Sequence, residues 1–471
     1  MTATLPTDIF RLILGHLEAD DIRVCRYVCK EFLELSNLRS VWDALLQKAI
    51  QRNIPIPGLN QKLIESLSAK ELEISLHKAI TLRNNWTSAS PTLKRSISLN
   101  APPQHRIVSV QFVPGDDHRW LISLSMSQPR SFVLHCWDLQ TSTCIARRSI
   151  RHFAGMALNK TSIEGGIVAI MNPHIEILGL DHEATDPDNG FKTLATYPED
   201  SQTHGMHLFS GSSLVTRDNN GRLTLWDMKN HMKIDIRNPE LPLSTPLVDI
   251  LVTKDLILAL RLSTLELYAL PDLSTSASVP NMVINPIYVY KFPWRVDNGV
   301  MTIRQRPGTR RFNDICVVLR YGSYYPWAIN LLHHYEIRPN RFFLNDGPIN
   351  TGNLPYQFPP VLQETIASPV RLHAISDLAV GPYGTILWTD SHTEDYFNHA
   401  DRGQRLAGRF SGFVEGDNDE IELSDQIATT RAESVYAYQE EDSWVRIALD
   451  ERDGKIALGR DDGKISVLEF I

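Results

Sequence analysis

The stretch RDNNGRLTLWD, Arg217–Asp227, decides how most of this chain reads. Its Asn220-Gly221 step supplies the positive φ that a tight hairpin turn needs, and Leu223-Thr224-Leu225-Trp226 then runs as an alternating strand. A second copy of the pattern stands in GRDDGKISVL, Gly459–Leu468, with Asp462-Gly463 at the turn. Working outward, Trp137-Asp138 lies 89 residues before Trp226-Asp227, two units of about 44. The midpoint falls on Ile175-Glu176-Ile177-Leu178, and one unit forward reaches Leu265-Glu266-Leu267-Tyr268; both alternate as strands do. Three wider-spaced marks follow at Trp327-Ala328-Ile329, Gly384-Thr385-Ile386-Leu387-Trp388 and Lys464-Ile465-Ser466-Val467-Leu468, which makes seven.

These passages resemble WD-repeat blades, although only two of the marks keep Trp-Asp and no Gly-His opening recurs in register. The resemblance implies an all-β propeller of about seven blades over residues 93–471. The chain stops at Phe470-Ile471 inside what reads as a third strand, so the missing fourth strand is expected from Lys94–Leu99 near the other end.

The amino-terminal texture is different. Leu5, Ile9, Ile13 and Leu17 recur every fourth residue, Phe10 and Leu14 widen that stripe, and Pro6 is tolerable in a first helical turn. Asp20 and Asp21 offer oxygens to cap a second helix through Val24 and Val28. A unit of roughly 40 residues is at the lower limit for independent folding, and each Leu or Ile left in water forfeits about 1.5–3 kcal/mol. Spacing alone leaves open a docking module or an ordinary helical subdomain.

Leu5-Pro6, Ile9, Ile13-Leu14, Leu17, Asp20-Asp21, Val24, Val28-Cys29-Lys30, Phe32 and Trp42 resemble an F-box position by position, with Cys25 and Cys29 as mild departures where Leu and Ser are more usual. What the resemblance implies is docking on the Skp-type adaptor of a cullin-RING ubiquitin ligase. Leu5, Pro6, Ile9, Ile13, Leu14, Val28 and Trp42 are then the expected contacts, each with internal packing as its alternative. The expected organisation is multidomain: an all-α F-box over 1–48, a helical linker over 49–92 and the propeller over 93–471. In the linker, Ile54-Pro55-Ile56-Pro57-Gly58 forms turns and Leu63 pairs with Leu67. Ser68 and Glu71 fit a capping box, and Leu72, Leu76 and Ile80 continue a stripe that ends near Asn84-Asn85-Trp86.

At 471 residues, with 42% hydrophobic and 22% charged residues, the chain suits two or three globular units. A net charge of −8 gives no footprint for nucleic acid, and no run of 18 apolar residues suggests a membrane span. The start lacks a basic n-region, and five cysteines without a CxxC pair read as free thiols in a reducing compartment, so a cytoplasmic or nuclear location is expected. His204 and His207 lack a third ligand nearby in sequence; no metal or other cofactor is expected.

Loops on a rigid scaffold usually carry recognition. Arg295, Arg304, Arg306, Arg310 and Arg311, with Arg320 beside them, are candidates for holding a phosphorylated substrate segment, against the plainer reading of a solvated loop. The insert Pro339–Pro360, with Phe342, Phe343, Tyr356 and Phe358, is a peptide ledge or packing beneath the propeller, and Glu415–Glu422 is an acidic surface loop. The expected function is non-catalytic: a ligase subunit that recognises a protein substrate, or alternatively an interaction scaffold that recruits no cullin. A propeller enzyme is disfavoured by the lack of a Gly-x-Ser-x-Gly elbow, a His-Glu-x-x-His helix or a phosphate-cradling loop.

Overall fold

The computed structural model describes residues 7–58, 64–115, 119–161, 166–197, 203–242, 245–271, 281–305, 311–322, 331–368, 377–391, 403–412, 429–430 and 432–471. Among the described residues five helices come first: α1 (Thr7–His16), α2 (Ala19–Cys25), α3 (Lys30–Ser36), α4 (Arg39–Gln51) and α5 (Ala69–Trp86). The expected boundary at residue 48 falls inside α4. Leu14, Ile22, Trp42, Leu45 and Leu46 share one core with Leu72, Leu76 and Ala79, so the expected F-box and linker form a single helical unit. The α5 start is the expected capping box, with Ser68 N–H donating to Glu71 Oε2 at 2.8 Å. Cys25 and Cys29 stand in different elements: Cys25 ends α2, and Cys29 caps α3 by accepting from Phe32 N–H.

Seven sheets follow among the described residues, antiparallel except for one strand added to each of blades 3 and 5. Blade 1 consists of Arg106–Phe112, Trp120–Ser127, Ser131–Asp138 and Thr143–Ile150; blade 2 of Gly155–Leu158, Val168–Asn172, His174–Leu180 and Phe191–Tyr197. Blade 3 consists of Thr203–Ser210, Ser213–Asp218, Leu223–Asp227 and Met232–Ile236, with Asn281–Ile284 added in parallel. Blade 4 is Leu247–Val252, Leu256–Arg261, Thr264–Ala269 and Tyr288–Lys291. Blade 5 is Val296–Ile303, Ile315–Tyr321, Leu331–Ile337 and Val361–Ala367, with Thr429–Thr430 added in parallel. Blade 6 is Leu378–Val380, Thr385–Ser391, Gln404–Phe410 and Ser434–Gln439. In blade 7, Trp444–Asp450, Lys455–Arg460 and Lys464–Glu469 are completed by Arg95–Asn100 from the front of the domain, pairing Ile97 with Val467 and Leu99 with Ile465.

The sequence marks at 137, 177, 226, 267 and 466 all fall on third strands. Gly384–Trp388 instead begins a second strand, and Trp327–Ile329 lies outside the described residues, just before the third strand of blade 5. The strand-long insertions in blades 5 and 6 stretch the period, which is why the count survives while the strand assignment slips.

Polar groups pin neighbouring blades together. Asp249 on the inner strand of blade 4 accepts from Met301 N–H of blade 5 at 2.7 Å, and Asp377 beside blade 6 accepts from Ile447 N–H of blade 7 at 2.7 Å. Burial pushes both carboxyls above the usual carboxylate range. The helical unit meets the propeller where the chain ends. Trp86 packs on Tyr436 and Phe470, its indole N–H donates to Thr385 Oγ1 at 2.8 Å, and Tyr436 hydroxyl donates to Trp86 O at 2.8 Å. Gly454 sits at φ +61, and a Cβ there would come within 2.4 Å of Leu82, so the close approach of α5 requires a glycine.

Deleting the last nine residues removes the strand that Arg95–Asn100 pairs with, so the whole propeller should lose cooperative melting, as read by circular dichroism. Trp86→Ala should cost about 3–5 kcal/mol in urea unfolding. The His135 ring lies in the blade 1 core against Trp137, where burial and then Arg147 push it down to about 4. Its contribution is present above about pH 6.5 and is lost as pH falls toward 4, so unfolding at pH 5 should require less urea than at pH 7.

Candidate functional site

Helix α1 turns Leu14 into the core and leaves Ile9, Leu12 and Ile13 exposed along its other side, at the i, i+3, i+4 spacing of one helical face. At the end of α2, Val24, Tyr27 and Val28 repeat that spacing through a last turn closed by Tyr27 N–H to Val24 O and Val28 N–H to Cys25 O. Tyr27 is 91% and Val28 68% exposed, and Leu33 of α3 is also exposed. So many large apolar side chains in water on one small unit mark an interaction surface.

This surface is braced from below. Arg26, between the exposed Val24 and Tyr27, forks onto Glu73 of α5 with both contacts at 2.8 Å, donates to Ser36 Oγ at 2.9 Å and lies 5.4 Å from the Trp42 ring. Trp42, 1% exposed, donates its indole N–H to Ser36 O at 2.7 Å. The exposed turn is therefore fixed by a guanidinium that reaches three elements.

The seven expected contacts divide accordingly. Ile9, Ile13 and Val28 are on the surface; Leu14 and Trp42 are core residues, because the apolar stripe of a short helix must first close its own bundle. Leu5 and Pro6 lie outside the described residues. Leu12, Tyr27 and Leu33 escaped the sequence reading because they stand off the main stripe. Their signal was that they are apolar at positions a lone bundle would leave polar.

Among the described residues the candidate arginines do not come together. Arg304 is buried, donating to Ser411 O at 2.5 Å, and Arg320 is buried against Ser368. Arg311 pairs with Asp255 at 3.2 Å and lies over Phe312 and Phe343. Arg295 is exposed, but in a connection between blades 4 and 5, at the opposite face from Arg311, which sits in a first-to-second-strand loop. Arg306 and Arg310 lie outside the described residues. These guanidiniums serve mainly as structural ties. In the aromatic insert, Phe343 and Tyr356 pack on Phe312, Phe358 stacks on Tyr288 at 4.2 Å, and Phe342 projects at 86% exposure. Glu415–Glu422 lies outside the described residues, as does the His204 side chain; no metal-binding group occurs among the described residues.

An F-box-like family model matches residues 2–48, the part of the chain that carries this surface. Residues 2–48 form an F-box-like domain. Among solved structures, the Cps50 (Swd1) β-propeller domain of Myceliophteria thermophila aligns with 80% of this chain and 99% of its own, at 12% identity and a TM-score of 0.44. No curated protein matches the sequence. F-box domains generally bind Skp-type adaptors, and an F-box with a propeller is an architecture typical of non-catalytic receptors and adaptors. In this F-box-like domain the surface residues are free of structural duty. Val28→Asp should therefore change stability by less than about 0.5 kcal/mol, whereas Leu14→Ala should cost about 2–5 kcal/mol, both read by chemical unfolding.

Proposed function

We propose that this chain is the substrate-recognition subunit of a Skp–cullin–F-box type ubiquitin ligase. Ile9, Leu12 and Ile13 of α1, with Val24, Tyr27 and Val28, dock on the adaptor, and the propeller holds a protein substrate. The observation that carries this reading is the exposed apolar surface on an F-box-like unit that is itself anchored to a propeller through Trp86. The chain makes and breaks no bond in this scheme. It raises the effective concentration of target lysines beside the conjugating enzyme, in the cytoplasm or nucleus.

The experiment is a pull-down from cells with the intact chain and with Ile13→Asp/Val28→Asp. A carboxylate forced into an apolar contact costs several kcal/mol, so adaptor and cullin recovery should fall at least about tenfold while the melting temperature is unchanged. Equal recovery of both with the variant defeats the proposal. Adaptor recovered without cullin from the intact chain selects a scaffold outside the ligase.

A further inference from the structure

The loops joining first to second strands lie at one propeller face, the one the helical unit covers through Gly454 and Thr385. The turns joining second to third strands lie at the other. There, at the rim between blades 3 and 4, Arg217 stands opposite Gly205 on the inner strand. Its Nε lies 3.7 Å and its Nη2 3.9 Å from where a Cβ of Gly205 would be, so the guanidinium lies beside Gly205 on the inner strand, two residues from His207. The ladder shifts register between Met206 and Leu208, making His207 the extra residue of a bulge, and its Nε2 is buried without a partner. Bulges characteristically re-aim a side chain.

Arg217 shares this rim with a saturated network. Glu266, fully buried, accepts from Arg261 Nε at 3.0 Å, Asn238 Nδ2 at 2.8 Å, Thr264 Oγ1 at 3.1 Å and Tyr268 hydroxyl at 2.5 Å. Four donors occupy that carboxylate and neutralise Arg261. Arg217 has no acidic partner among the described residues. Burial, then Arg217 and Arg261, push the His207 ring down to about 4, so it is neutral at pH 7. Arg261 is paired with Glu266 and the His207 imidazole is neutral, while the Arg217 fork has no carboxylate on it among the described residues.

We infer that Arg217, with His207 beside it, is a binding site for a carboxylate, and that its ligand is an acidic side chain of a protein held on the face turned away from the helices. A guanidinium fork matches a carboxylate bidentately, and its one charge balances a monoanion. A phosphate monoester, at about −1.5 to −2, would remain unbalanced. The inference rests on the propeller as a protein-binding platform and is independent of adaptor docking.

The test uses the full chain with isotope-labelled histidine, the His207 signal being assigned by its loss in His207→Gln. Sodium acetate and sodium phosphate are titrated separately at constant ionic strength set with chloride. Acetate should move the His207 signal saturably, the movement should vanish in Arg217→Gln, and Arg217→Lys, which keeps the charge but not the fork, should shift it at higher acetate. Unchanged melting of these variants keeps the comparison valid, and Arg217→Lys alone carries it if Arg217→Gln fails to fold. No saturable shift with acetate overturns the site; a shift that survives Arg217→Gln or is undiminished in Arg217→Lys overturns the role of Arg217; saturation by phosphate at lower concentration than acetate overturns the carboxylate. The adaptor pull-down reads none of these outcomes, so the two proposals fail separately.

Discussion

The burial of Trp86 is the constraint on which the rest of the arrangement depends. One indole at the end of α5 touches the outer strand of blade 6 through Tyr436 and the chain's last strand through Phe470, and it donates to Thr385 in the loop that Glu451 organises. Glu451 accepts from Tyr383 and Thr385 backbone N–H groups, and a Cβ at Gly381 would come within 2.1 Å of its carboxylate. Burial pushes that carboxyl above its usual range, so its retention depends on these donors being present. Ring closure and attachment of the helical unit are thus the same packing event. A change that loosens one loosens the other.

That coupling explains which parts of the fold were legible. Strand positions follow from the alternation of residues such as Leu223-Thr224-Leu225, and the same alternation in Ile97-Ser98-Leu99 and Ile465-Ser466-Val467 marks the two strands that pair to close the ring. Tertiary placement of charge does not. Arg304 and Arg320 look like surface cations in one dimension, yet both fill gaps between strands and loops by donating to backbone carbonyls. Local composition records neither partner, because Ser411 and Ser368 are distant in sequence. The same blindness divided the docking residues: Leu14 and Ile13 are neighbours in a stripe, and only the arrival of α4 and α5 decides that one faces inward.

Between the exposed turn and the propeller runs helix α5, and Gly58 N–H adds a second tie by donating to Asp453 Oδ1 at 2.8 Å. Near its start α5 supplies Glu73 to the Arg26 fork, and at its end it supplies Trp86. Eighteen helical residues span about 27 Å. Both ends are held by buried or half-buried groups rather than by a solvated linker, so bending would have to break the Arg26–Glu73 fork or expose an indole.

Rigidity of this kind changes what proximity can do. A flexible tether sweeps a volume, and effective concentration falls as that volume grows. A strut instead confines whatever the propeller holds to a narrow range of positions relative to the docking surface. Under the proposed reading, selectivity among lysines would then come from where the substrate sits on the face carrying Arg217, because the chain itself supplies little freedom to search. Inserting seven residues into α5, two turns to within about 20°, would move the docking surface by about 10.5 Å, so such a change would alter which lysines are reached without touching either binding surface.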